Sequence, residues 1–230
     1  KKSILTRLED LSYDYQLVDN KEKMAVLAEK LLAQKFFSLD TETTGIDPIT
    51  AELVGMSFSF AENQAFYVPV PANREEALTI VNIFKPAFEN PDSLKVGQNI
   101  KYDLIMLANY GVTLKGKMFD TMIAHYVLQP ELRHGMDYLA EIYLKYETIK
   151  IEELIGAKGK KQGNMRDLAP EAVYKYACED ADVTLKLKQV LENELETNGV
   201  KKLFEEIEMP LVPVLAYMER NGVRIDTEAL

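Results

Sequence analysis

The stretch Phe36-Phe37-Ser38-Leu39-Asp40-Thr41-Glu42-Thr43-Thr44-Gly45 decides how this chain is built. An apolar run ending in a carboxylate predicts a buried central strand over 36–40. Side chains alternate across a strand, so Asp40 and Glu42 share a face. Two neighbouring carboxylates resist joint ionisation unless a cation sits between them, and a divalent hard cation with oxygen ligands meets that need. Alone, Asp-x-Glu reads more simply as a polar strand end before the turn at Gly45.

Outward from this strand, strands and helices alternate. Upstream, 15–18 is a short strand, and Asp19 or Asn20 offers an N-cap for a helix through about Leu32. Residues 1–12 are charged and amphipathic and read as a leader from something upstream. The chain starts with Lys1 rather than Met, the look of an excised or processed fragment. Downstream, 52–60 and 64–70 are apolar stretches separated by Ala61-Glu62-Asn63, a hairpin signal. Asn73 caps a helix through about Glu89, 93–96 is a strand, 101–110 is a helix closed by Gly111, and 112–119 is a weak strand. Asp120 caps a helix that Pro130 stops, 137–146 predicts another, and Pro170 opens a long one to about Thr197. The order predicts an α/β fold, a mixed β-sheet flanked by α-helices. From Val200 the character changes to a helical stretch interrupted by Pro210 and Pro213, then a new element at Val223. Residues 1–199 are expected as one domain and 200–230 as the start of a neighbouring one.

The 230 residues carry 27 Lys+Arg against 37 Asp+Glu, a net charge of −10. One Cys excludes a disulfide framework and a Cys-rich zinc site, and two His leave little for a His-based metal cage. No apolar run approaches the ~18 residues of a membrane helix, so no membrane association is expected. An acidic balance argues against a broad duplex clamp, which needs a basic face. It leaves open action on a single phosphodiester, provided metal ions neutralise the local charge. Chemistry in this chain must rest mainly on carboxylates.

Two further stretches hold candidates. Val96-Gly97-Gln98-Asn99-Ile100-Lys101-Tyr102-Asp103 is a strand end entering a helix, where active-site groups gather in α/β proteins. A plain alternative is that Asn99 caps the helix and Asp103 favours its N-terminal dipole. In Tyr176-Ala177-Cys178-Glu179-Asp180-Ala181-Asp182, Tyr176 and Asp180 are four apart and lie on one helical face. A solvated acidic face would explain the three acids, but the interleaved Ala177, Ala181, Val183 and Leu185 require partial burial.

Together, Asp-x-Glu on a strand, an Asp opening a later helix and Tyr-x3-Asp on a late helix resemble the DEDD family of 3′–5′ exonucleases, in its tyrosine subfamily. The stretches 96–103 and 176–184, with Ile207-Glu208-Met209-Pro210-Leu211-Val212-Pro213-Val214-Leu215 and Glu219-Arg220-Asn221-Gly222-Val223, are similar to the bacterial DNA polymerase I family. The similarity spans nearly the whole chain: a proofreading domain, then the first segment of a polymerase domain. The resemblance implies a ribonuclease H-like fold and two-metal phosphodiester hydrolysis with Mg²⁺, Mn²⁺ serving as substitute. Asp40, Glu42 and Asp180 would hold the first metal, Asp40 would bridge to the second, and Asp103 would reach the second through water. Tyr176 would orient the attacking water together with Glu42. Thr43, Gln98, Asn99, Lys101 and Tyr102 match positions that contact the terminal nucleotides. Met165 stands where the family often has an aromatic residue near the substrate.

The implied activity is removal of 3′-terminal deoxynucleotides from single-stranded or frayed DNA, for proofreading in replication and repair. The implied setting is the bacterial cytoplasm, at the nucleoid, with the rest of the polymerase chain in cis. Two alternatives stand beside it, an RNA-trimming exonuclease of the ribonuclease D type and a catalytically silent scaffold. The resemblance of 200–230 to a polymerase start separates the first from the ribonuclease D type. The basic, glycine-rich 156–166 segment lacks the Lys-Ser/Thr ending of a P-loop and reads as a solvated loop or an arm tracking a single strand. Cys178 reads as packing, and His125 and His134 as structural or surface residues.

Overall fold

The structure is a computed structural model that describes residues 5–159, 161–226 and 228. Six strands form one sheet: β1 (Asp14–Leu17), β2 (Phe36–Thr43), β3 (Leu53–Ala61), β4 (Gln64–Pro69), β5 (Leu94–Gly97) and β6 (Met118–Asp120), in the order β1-β4-β3-β2-β5-β6. β3 is antiparallel to both β2 and β4, whereas β1 on β4, β5 on β2 and β6 on β5 are parallel. The expected mixed sheet is therefore present, and Phe36-to-Glu42 lies at its centre.

The two faces of the sheet differ in side-chain size. On one, Phe37, Leu39, Met56, Phe58, Phe66 and Val68 pack with Phe84 and Phe88 of α2 (Arg74–Phe88) and with Met24, Leu27 and Leu31. Those last three lie on α1 (Lys21–Leu32). The Phe58 and Phe84 rings stack at 5.3 Å. The other face is small. Ser38 pairs with Ser59, Asp40 with Ser57 and Glu42 with Gly55, and paired residues share a face. Small side chains let a helix approach closely, and α7 (Pro170–Thr197) lies there, with Ala177, Cys178 and Ala181 fully buried. Ser38 Oγ donates to the Ala181 carbonyl at 2.6 Å. Gly55 is required on steric grounds, because a Cβ there would stand 2.3 Å from the Tyr67 ring.

Along the chain between β5 and α7 come α3 (Ile100–Asn109), then, after β6, α4 (Thr121–Leu128), α5 (Met136–Leu139) and α6 (Ile151–Ile155). Asn20 and Asn73 cap α1 and α2 with their side chains, as expected. Four expectations need correction. Of the weak 112–119 strand only Met118 and Phe119 pair, with Asp120 continuing β6, and Gly116, at φ +85°, turns against the Pro91 and Ser93 carbonyls. The 137–146 helix is α5 followed by a π turn, Ala140–Leu144, that ends at left-handed Lys145. Residues 5–12 are tied to this core: Leu8 is buried in it, Leu11 packs against it, and Thr6 pairs with Tyr146. Residues 1–4 of that segment lie outside the described residues.

The fourth concerns the break in the helical stretch expected at Pro210 and Pro213. That stretch is a continuous helical run, α8 (Lys201–Leu203), a π turn (Phe204–Glu208) and α9 (Met209–Asn221). Pro210 falls in the first turn after the π turn, where a missing N–H costs little, and Pro213 is carried inside α9. Phe204, Met209 and Val212 are buried in the same apolar core as the sheet, and α9 packs along α3.

Candidate active site

The strand β2 delivers Asp40 and Glu42 to the face that α7 covers, and α7 delivers Asp180. One carboxylate oxygen from each lies within 4.8 Å of the others. Glu42 and Asp180 are buried and Asp40 is half-buried. Among the described residues, Glu42 Oε1 has no hydrogen-bond partner. Asp103, buried on α3, accepts a hydrogen bond from Thr41 Oγ1 at 2.6 Å. The three-carboxylate group does not include Asp103, yet the charge of Asp40 acts on it.

Burial is the main cause that raises all four carboxyls. Asp40 is pushed up to about 6. Glu42 is raised further by Asp40 and Asp103, Asp180 by Asp40 and Glu42, and Asp103 by Asp40, against the opposing Thr41 bond. A carboxyl raised on folding favours the folded state below its unfolded pKa and loses that contribution as pH rises through the folded one. For Asp40 that window runs from 3.8 to about 6. We predict that the metal-free protein loses part of its thermal stability as pH rises from about 4 to about 6. Mg²⁺ should restore it at pH 7, since a ligand binding only the folded state stabilises it. Calorimetry with chelator and then with Mg²⁺ checks this; an unchanged Tm on metal addition at pH 7 contradicts it.

Tyr176 stands one turn before Asp180 on α7. Burial, then the charges of Asp180, Glu42 and Asp40, push its hydroxyl above its ordinary value, so it stays a donor. Thr43 and Tyr102 meet at the end of β2, their hydroxyls within hydrogen-bond reach of each other and of the Gly45 carbonyl, which accepts from them. Beyond Gly45, Ile46 is 97% exposed, an apolar side chain on the loop next to this rim.

Other expected site residues have partners of their own. Gln98 Nε2 donates to the His134 carbonyl at 2.8 Å, and its Oε1 accepts from Thr121. Lys101 is ion-paired with Glu219 of α9. Met165 is buried with Val54, Tyr67, Val173 and Ala177, in a turn whose Asn164 Nδ2 donates to the Thr44 carbonyl at 2.8 Å. Asn99 is left-handed, φ 63°, and its side chain does not cap α3. Asp120 does so instead. Its carboxylate accepts from the Asn99 (3.2 Å) and Ile100 (2.8 Å) amides and also from Met122 (2.8 Å) and Ile123 (3.2 Å) on α4.

Glu179 and Asp182, the other acids of the 176–182 stretch, are not a solvated face. Glu179 accepts from the Tyr146 hydroxyl and, at 2.7 Å, from the Ile149 amide. Asp182 accepts from the Tyr15 hydroxyl (2.8 Å), the Asn63 amide (2.8 Å) and Lys186 (2.7 Å). Asp182 thereby ties α7 to β1 and the β3–β4 turn, and Glu179 ties it to the 146–149 segment, leaving Asp180 as the acid turned to Asp40 and Glu42. Cys178 is buried packing, and His125 is buried against His134, their Nδ1 atoms 2.7 Å apart.

A family model described as 3′–5′ exonuclease matches residues 15–196. DNA polymerase I of Pseudomonas aeruginosa is 42% identical over 228 residues, which cover 94% of this chain and 25% of that protein. DNA polymerase I of Borreliella burgdorferi is 36% identical over 219 residues, 94% of this chain and 24% of that protein. The chain thus spans about a quarter of the length of these curated relatives. Among solved structures, Brucella melitensis NrnC superposes with a TM-score of 0.71 at 21% identity, covering 92% of this chain and 94% of that one. The POL domain of Pol1 from M. smegmatis gives 0.69 at 19% identity, covering 92% and 33%. These two share the ribonuclease H-like fold. By its family match and its relatives, the chain belongs to the 3′–5′ exonuclease family, in the form carried by bacterial DNA polymerase I.

Proposed function

We propose that this chain hydrolyses the terminal phosphodiester at a single-stranded or frayed DNA 3′ end, releasing deoxynucleoside monophosphates. The observation that carries this is the convergence of Asp40, Glu42 and Asp180 within 4.8 Å, with a buried Glu42 oxygen that no donor among the described residues satisfies. An all-oxygen donor set suits Mg²⁺, with Mn²⁺ as substitute. Asp40, Glu42 and Asp180 would hold one ion, and Asp40 with Asp103 a second. Two such ions supply an activated water at neutral pH and charge neutralisation on the scissile phosphate. Tyr176 donates the hydrogen bond that aims the attacking water, and Glu42 accepts from it. Thr43, Gln98, Asn99, Lys101 and Tyr102 bind the terminal nucleotides, Ile46 offers an apolar contact to the last base, and Met165 backs the turn beneath it.

The net charge of −10 gives no duplex clamp, so a terminal base pair must open before its phosphate reaches the carboxylates. Residues 200–230 would lead into the polymerase domain, and proofreading in the bacterial cytoplasm, at the nucleoid, follows from that linkage. No helix among the described residues is long and apolar enough to cross a membrane. Opening a mismatched end costs less than opening a paired one, by up to a few kcal/mol. A mismatched primer terminus should therefore be degraded faster than a fully paired one at the same salt. Equal rates would contradict the reading. Oligoribonucleotide of the same sequence should be the poorer substrate, and a preference for it would favour RNA trimming.

A further inference from the structure

Lys101 lies on the first turn of α3, two residues before Asp103, beside the Thr43–Tyr102 rim. Its ammonium is held by Glu219, near the end of α9, with side-chain exposures of 31% for Lys101 and 45% for Glu219. The two residues are 118 apart in sequence and meet because α9 packs along α3. We propose that Glu219 sets the affinity of the site for the nucleic-acid backbone by holding and screening Lys101, so that α9 controls how strongly the exonuclease site binds a single strand.

This rests on Lys101 contacting phosphate. A lysine paired with a carboxylate must share or surrender that partner to meet a phosphate, and the carboxylate repels the incoming anion. Both effects weaken binding without touching the carboxylates that carry the chemistry. Buried Phe204, Met209 and Val212 anchor the helical run, while Glu219 sits one turn from the Gly222 at its end. A small displacement of that end releases Lys101. In relatives about four times longer, the chain beyond this helix is what would displace it.

The test is steady-state degradation of a short oligo-dT by this chain with Mg²⁺ across a salt series, for wild type, Glu219→Gln, Lys101→Ala and the double variant. Exposed ion pairs are worth little, so Glu219→Gln should lower KM only about two- to fivefold, with kcat unchanged. The slope of log KM against log salt should steepen by up to about 0.7, the value for one more phosphate contact on a single strand. Lys101→Ala should raise KM, and the Glu219 effect should vanish in its background. A double-mutant cycle thereby separates the pair from a general loss of negative charge. A Glu219→Gln KM equal to or above wild type overturns the proposal, as does an unchanged benefit in the double variant. An unaltered KM in Lys101→Ala would instead overturn the phosphate-binding role assigned to Lys101.

Discussion

Asp40→Ala is expected to abolish hydrolysis while leaving the protein folded. Asp40 belongs to the group of three oxygens within 4.8 Å, and its charge also acts on Asp103, so it joins both proposed metal positions. It is half-buried and its neighbours are raised partly by its charge, so its removal relieves crowding. Thermal stability without metal should stay level or rise, since like charges in a desolvated cluster oppose folding. The expected rate loss far exceeds tenfold, or about 1.4 kcal/mol of barrier. Single-turnover digestion with a Tm measurement checks both halves. Retention of more than about a tenth of the wild-type rate contradicts the assignment, because a tenfold loss is only about 1.4 kcal/mol.

Tyr176→Phe should lower the chemical rate while metal binding stays nearly unchanged. The hydroxyl lies one helical turn from Asp180 and is held in its protonated, donating form by burial and by three carboxylates. It is a positioning donor and not a ligand. Losing one such hydrogen bond costs ~1–3 kcal/mol, a rate drop of roughly five- to a hundredfold, smaller than the loss at Asp40. Single-turnover rates alongside calorimetric Mn²⁺ titration make the distinction. A wild-type rate would reduce Tyr176 to a core aromatic, and lost Mn²⁺ binding would make it part of the ligand set.

Local patterns carried most of the fold. β2, the β3–β4 hairpin, α1, α2 and α7 follow from apolar period, asparagine caps, and Pro170 with Gly199. What the sequence could not show depends on long-range contacts. Gly55 looks like any strand glycine until Tyr67 is found across it. Asp120 reads as the cap of one helix, and only the parallel β5–β6 pairing brings it to a second. Pro210 and Pro213 read as interruptions of the helical stretch after Val200, yet a π turn precedes Pro210, Pro213 is carried inside α9, and that helix packs on α3.

The site was legible as residue types in order, and less so as contacts. Strand alternation puts Asp40 and Glu42 on one face; that Asp180 joins them is implied by the family resemblance alone, and the structure brings the three together. Glu179 and Asp182 could not be told from Asp180 by composition, because their partners Tyr146, Ile149, Tyr15 and Asn63 come from distant segments. The partners of Gln98 and Lys101 are equally remote, His134 and Glu219.

The most direct measurement uses single-stranded DNA labelled at its 3′-terminal nucleotide. The protein is first stripped of metal with chelator, then supplied with Mg²⁺. The predicted result is no release in chelator and, with Mg²⁺, labelled deoxynucleoside 5′-monophosphate as the first product. Release of labelled oligonucleotides, attack from the 5′ end, or undiminished digestion in chelator would contradict a carboxylate-held metal site working from the 3′ end.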